Sequence, residues 1–317
     1  MVLALLKRIL LVIPTLIGVA TFAFLLMHLS PGDPAMLFFG GTAEGSVNME
    51  AVENVRKALG LDRPLHEQYF LFISRALMLD FGESYRSQRP VLREIGAVAP
   101  YSVMLAICGM LVGVLIGVTA GIVAALRRNR ALDYIITVTA TAGFAAPLFW
   151  IAMVLMYLFS YKLRWTPLFG GGSLDNFGSL LVHLTLPSLA VGLRHGAIIS
   201  RLTRTSMLRV LNADYIRTAR AKGVSEGKVV LTHAIRNVLV GLVTIVGYDF
   251  AVIIGSSMVT EIVFARPGLG RSLVNAVFAR DYAMVQGILI VIGFAIVVVN
   301  LLVDMSYALI NPQIRYG

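Results

Sequence analysis

Six apolar stretches, each about as long as a helix must be to cross a bilayer, constrain this chain more than any other feature. They cover residues 9–29, 101–126, 134–161, 181–202, 238–260 and 284–310. A helix needs about 20 mostly apolar residues to span the hydrocarbon core. Unpaired backbone groups are costly in lipid, so runs of this length are read as helices. The chain has 317 residues, 58% hydrophobic and only 14% charged, against about 25% charged for a soluble domain. The reading is an all-α membrane protein with six transmembrane helices. Lys7 and Arg8 before the first run mimic a secretory leader, but the run is longer than the roughly 7–15 apolar residues of a leader and five more spans follow. It is read as a retained first helix.

The net charge of +10 could signal nucleic acid, but a Lys/Arg excess in cytoplasmic loops explains it without such a partner. Residues 127–133, the segment 204–237 and the two termini together hold thirteen Lys/Arg, whereas the short loops on the other side hold five. Both termini and the segment 204–237 are therefore expected in the cytoplasm. Residues 30–100 form a loop too long for the charge rule. It mixes nine acids with seven bases and contains "MEAVENVRKALG" and "LHEQYFLFISRALML", the second with apolar residues at helical spacing. A small folded helical cap outside the membrane is expected. The division is a first transmembrane helix over 1–29, the cap over 30–100, and a five-helix core over 101–317 carrying the cytoplasmic segment.

Gly109, Gly113, Gly117 and Gly121 repeat every fourth residue in the second span. That spacing puts them near one helix face and permits close approach of another backbone. Either static packing or a face that slides during transport accounts for it. Pro147 and Pro187 are expected to kink or start their helices. Arg194, His195 and Asp249 lie at membrane depth, where ionisable groups face an interior or a watery path and find partners. Arg194 and Asp249 reach similar depths, so a shared polar patch on a translocation path, as an ion pair, is one expectation; separate satisfaction by water or a partner subunit is the other. Cys108, the single cysteine, reads as a small buried hydrophobe.

No G-x-x-x-x-G-K-[ST] loop, H-E-x-x-H pair or C-x-x-C pair occurs. No catalytic residue, metal site or resident cofactor is expected. The chain reads as a conduit whose energy comes from elsewhere.

The segment "ADYIRTARAKGVSEGKVVLTHAIRN" carries five bases against two acids between two spans. Met207 to Lys222 is expected as one helix ended by Gly223. Ser225 follows as N-cap, with Glu226 in the first turn of a second helix. Val224, Val229 and Val230 are expected exposed at the bend. Charge alone would also suit a strap on anionic headgroups, but a glycine bend argues for a shaped knob.

"RTARAKG" at 217–223 with "VSEGKVVLTHAIRN" after it resembles the cytoplasmic coupling motif of ABC-importer permeases of the dipeptide/oligopeptide (peptide/nickel) family. Arg217, Thr218 and Ala219 stand where the general motif has Glu-Ala-Ala, and Gly223 matches; the Glu and a later Pro are missing, as in the peptide branch. "LSPGDPA", "LGLDRPLHEQY", "DFGES", "RRNRALD", "EIVFARPGLGR" and "RDY" extend the resemblance along the chain in order. It implies a type I importer permease fold in a bacterial or archaeal cytoplasmic (inner) membrane. It also implies a second homologous permease, two ABC ATPase subunits that bind ATP and Mg, an extracytoplasmic substrate-binding protein, and surrounding membrane lipid. By resemblance, Arg217, Thr218, Ala219, Arg220, Ala221, Lys222, Gly223, Val224 and Ser225 form the ATPase-coupling site. Gly223 sets its bend, the alanines allow close approach, and Arg217, Arg220 and Lys222 supply charge contacts to the ATPase or lipid. Glu261 and "RPGLG" would enter an outer gate region, and the cap with "SPGDPA" would meet the binding protein. Short peptides are the expected cargo, with glutathione or nickel as alternatives. A stand-alone channel or secondary transporter would predict internal repeats, which the sequence lacks.

Overall fold

The computed structural model describes residues 2–29, 34–37 and 49–310. In chain order its helices are α1 (Val2–Leu29), α2 (Pro34–Leu37), α3 (Met49–Leu59), α4 (Leu65–Leu77), α5 (Val91–Leu126), α6 (Ala131–Ala145) and α7 (Leu148–Leu155). A π-helical turn, Met156–Lys162, follows α7. Then come α8 (Phe177–Leu211), α9 (Asp214–Ala221), α10 (Glu226–Lys228), a second π-helical turn over Val229–Ala234, α11 (Ile235–Ser256), α12 (Met258–Val263), α13 (Leu269–Phe278) and α14 (Tyr282–Ile310). Among the described residues, five helical stretches are long and apolar enough to cross a membrane, and a sixth is made by α6 with α7 and its π-helical turn if the bent pair is one span.

That bent pair meets the expectation that Pro147 kinks or starts a helix within residues 134–161. The chain turns by 108° between Ala145 and Leu148. Proline has no N–H to donate and disfavours helical geometry in the residue before it. Ala146 (φ −69°, ψ 133°) and Pro147 (φ −61°, ψ 138°) are accordingly both extended. Pro187 behaves differently and neither starts nor breaks α8. The helix begins ten residues earlier, where the Asn176 side chain accepts a hydrogen bond from the Ser179 N–H at 3.0 Å, as an N-cap does.

The chain divides into two compact units, one of residues 101–267 with 298 onward, the other of residues 2–100 with 268–297. Residues 268–297, drawn with the core from sequence, thus pack in the unit of the cap. α5 and α14 run through both divisions.

In the first unit the glycine face of α5 lies against α8. A Cβ at Gly109 would come 2.7 Å from the Val191 side chain, one at Gly117 2.7 Å from the Gly196 carbonyl, and one at Gly121 2.6 Å from the Ser200 carbonyl. Gly113 sits 3.2 Å by the same measure from the Gly192 carbonyl. At Gly113, Gly117 and Gly121 the neighbour includes backbone of α8 and at Gly109 it is the Val191 side chain, close approaches that the missing side chains permit. Leu105, Ala106, Met110, Leu184, Val191 and Ile199 close the core around them.

In the second unit α4 is tied to α1 by Tyr69 with Thr21 (2.8 Å) and Gln68 with His28 (3.0 Å). Val91 and Ile95 pack with Leu269, Ala276 and Ile288. Asp281, buried, accepts from Ser84 Oγ at 2.5 Å and from the Met284 N–H at 3.2 Å. Burial, reinforced by the Asp281 carboxylate, pushes the Tyr85 phenol up to about 12. Apart from Pro34 and Ala35, "SPGDPA" lies outside the described residues.

Candidate functional site

The basic segment between α8 and α11 is a closed hairpin. α8 ends at Leu211, and Asn212 donates its side-chain amide back to the Leu208 carbonyl at 2.9 Å. Ala213 is extended (φ −72°, ψ 149°) before α9 starts. The single helix expected over Met207–Lys222 is therefore two. The break arises because Asn212 satisfies a terminal carbonyl through its side chain, which competes with helix continuation.

Gly223 adopts φ +80°, the left-handed region that favours glycine. Its N–H donates to the Arg220 carbonyl at 2.9 Å, and the Val224 N–H donates to the Ala219 carbonyl at 3.2 Å, which closes the helix end. No atom lies within 4 Å of where a Cβ would stand. The backbone angle, not crowding, demands glycine here. Ser225 is extended at the next helix start but makes no side-chain cap, so its expected capping hydrogen bond is absent. Its backbone carbonyl accepts from the Val229 N–H at 3.0 Å.

Arg220 does not reach outward. Its Nε and Nη2 donate to the two Glu226 carboxylate oxygens at 2.5 and 3.3 Å, and Nη1 donates to the Leu211 carbonyl at 3.4 Å. One guanidinium thus links the end of α8, α9 and α10. Ile216 and Val229 are fully buried beneath the hairpin; the exposure expected for Val229 is corrected by the π-helical turn, which carries it inward. Asn237 on α11 donates to the Tyr215 hydroxyl at 3.0 Å. Arg217, Thr218, Ala221 and Lys222 remain exposed. Arg217 lies 3.5 Å from Asp214, both open to solvent, an arrangement that contributes little to stability.

The membrane-depth groups pair differently from the expected Arg194–Asp249 couple. His195 Nδ1 lies 2.8 Å from Asp249 Oδ2, with both side chains buried. Arg194 Nη1 donates instead to the Ala146 carbonyl at 3.1 Å, at the α6–α7 elbow. Successive helical residues diverge by about 100°, so Arg194 and His195 address different neighbours. The pair joins α8 to α11, and Arg194 joins α8 to the elbow.

Four contacts were not singled out from sequence. Arg204 Nε and Nη2 donate to Asp133 Oδ1 and Oδ2 at 2.6 and 2.8 Å, and Asp133 also accepts from the Asn129 N–H at 3.0 Å. The Arg201 guanidinium sits 5.7 Å from the Phe144 ring centre, within cation–π range. Beyond α11, Ser102 Oγ donates to the fully buried Glu261 at 2.6 Å. Arg266, also fully buried, donates to the Gly171 carbonyl at 3.3 Å and lies over the Tyr101 ring. Burial holds its guanidinium below the usual arginine range, with Glu261 opposing that shift. "RRNRALD" and the arginines of α8 were visible as residues, but their partners are 48 to 71 positions away and no local pattern names them.

The all-helical layout, the apolar spans and the basic hairpin define a multi-pass transport permease. Residues 117–316 match the family described as "Binding-protein-dependent transport system inner membrane component", and residues 1–106 match its N-terminal counterpart. The chain belongs to this family and is the inner-membrane permease component of an ABC importer. It is 44% identical over 311 residues, 98% of each chain, to the glutathione transport system permease protein GsiC of Salmonella choleraesuis (strain SC-B67). It is 43% identical over 310 residues to the protein of the same name from Escherichia coli (strain K12), again covering 98% of each chain. Among solved structures it resembles an inward-facing MetNI methionine ABC transporter chain with TM-score 0.56 and 15% identity, over 68% of this chain and 96% of that one. That likeness bears on the fold and agrees with a type I importer permease.

Proposed function

We propose that this permease moves short peptides, glutathione foremost, inward across the cytoplasmic membrane, with residues 213–228 as the handle through which separate ATPases drive it. The observation that carries the proposal is the hairpin itself. Gly223 fixes its bend, the Arg220–Glu226 pair locks its two arms, and Ile216 and Val229 anchor it. Arg217, Ala221 and Lys222 are left facing outward. A rigid knob of this kind can transmit force, because an ATPase that grips it differently in two states shifts the permease between two states. Glutathione, itself a short peptide, is favoured by the names of relatives that match over nearly the whole chain.

In the assembly we infer, a second homologous permease completes the pathway and two ATPase subunits beneath it bind ATP and Mg. An extracytoplasmic protein delivers substrate to the cap side. Both termini and the hairpin face the cytoplasm in this reading, which the Lys/Arg bias supports. This chain performs no hydrolysis. His195 and Asp249 brace α8 against α11 beside the path.

Replacing Gly223 with valine tests the handle. A β-branched residue cannot hold φ +80° without strain, so glutathione uptake should fall at least tenfold or the ATPases should fail to co-purify, with the spans still folded. Normal uptake by Gly223→Val would overturn the proposal. Isothermal binding of the cognate binding protein to a panel of glutathione and dipeptides reads out the cargo.

A further inference from the structure

Three arginines of α8 reach one neighbouring helix. Arg204 forks onto Asp133 near the start of α6, Arg201 covers the Phe144 ring near its end, and Arg194 donates to the Ala146 carbonyl just beyond it. At positions i, i+7 and i+10 they fall within about 80° of arc on α8. They run about 15 Å along α8, while Asp133 to Ala146 covers about 20 Å of α6. α6 is therefore held at both ends by one stripe of cations.

Between these holds the seam is broad but built of small residues with open space beside them. The nearest atom to a Cβ placed on Gly143 would be the Ala197 Cβ, at 3.8 Å. A hollow of about 450 Å³, walled by Ala140, Gly143, Leu193 and Ala197 among others, lies along the seam. A smaller one of about 60 Å³ adjoins Thr137, Phe144 and Arg201. Small residues with voids beside them supply less dispersion energy than a filled seam, and the polar holds fix the two ends of α6 against α8. Asp133 is nearly fully buried and accepts from Arg204, from the Asn129 N–H and from Thr137 Oγ1 (3.4 Å), a bidentate, charge-assisted geometry that fixes the orientation of the pair while Arg204 keeps some solvent contact.

α8 is also the helix that leads into the hairpin, with Arg204 seven residues before its last residue. We infer that Arg204, Arg201 and Arg194 are positioning residues that make α6, and through it the 108° elbow at Ala146–Pro147, travel with α8 when the hairpin is driven. The inference rests on residues 213–228 being the coupling handle. Were that reading wrong, Gly223→Val would import normally; a failed strap leaves the Gly223 result standing.

The test uses the complete importer, with its ATPases and binding protein, in proteoliposomes. Arg204→Gln and Asp133→Asn should each keep ATPase association yet raise the ATP consumed per glutathione imported by roughly tenfold, within the usual range of coupling effects. The swap Asp133→Arg with Arg204→Asp should recover most of that loss, which a purely steric role would not allow. A second measurement needs no disruptive variant. Spin labels at the exposed positions Val138 and Thr205, with Cys108 replaced by serine, should report the same α6–α8 distance in nucleotide-free and ATP-trapped states. Unchanged stoichiometry in both single variants, an assembled swap no better than they are, or a label distance that changes between the states overturns the inference.

Discussion

α8 meets α5 and α6 through two seams built on opposite principles. Against α5 the contact is glycine pressed on α8: Gly109, Gly117 and Gly121 leave no room for a methyl group, and Gly113 leaves little. Against α6 the contact is a run of small side chains beside hollows, with charged and polar holds at the ends. The first seam gains its energy from dispersion summed over close surfaces and tolerates no insertion. The second concentrates its energy in a few directional contacts, any one of which a single substitution can remove. One helix thus carries a fixed partner on one side and a strapped partner on the other.

Four substitutions separate these seams, each read as unfolding in mild detergent. Asp133→Asn should be the most damaging, at about 1.5–3 kcal/mol, the worth of hydrogen bonds to a charged group, since Arg204 keeps some solvent contact. Gly121→Ala should cost about 1–3 kcal/mol by overpacking, because the added methyl meets the Thr203 Cβ at 2.5 Å and the Ser200 carbonyl at 2.6 Å. Arg194→Gln should cost about 1 kcal/mol, the usual worth of one hydrogen bond. Gly143→Ala should act with the opposite sign. Its methyl group finds ordinary contact, and removing glycine from a helix stabilises by about 0.5–1 kcal/mol. If both glycine substitutions destabilise equally, the distinction between a tight seam and a hollow one fails.

Much of the fold was legible because its causes are local. Apolar runs announce helices, four-residue glycine spacing announces a packing face, and Gly223 announces a turn that few other residues can make. The sequence did not reveal how sharply residues 134–161 bend, because proline marks a break without setting its angle. The α8–α9 break was missed because it depends on Asn212 turning back to a carbonyl, a choice the periodicity does not encode. Partner choice was the least legible. Arg194 and Asp249 matched in depth, yet depth is one coordinate of two, and the azimuth on α8 gives Asp249 to His195. Arg204 and Asp133 went unremarked for the same reason, as charges near span ends that look like ordinary interfacial residues until the helices are assembled.

The hairpin is where the account is most exposed, since a basic knob beside a membrane suits both an ATPase cleft and an anionic lipid surface. Lys222 decides between them, being exposed beside the Gly223 turn and outside the Arg220–Glu226 lock. A photoreactive side chain placed there, in the assembled importer in native-like membrane, reports what the tip touches. The coupling account predicts an adduct to an ATPase subunit, with a yield that changes between nucleotide-free and ATP-trapped states. Adducts to lipid alone, with the ATPases present, would contradict it.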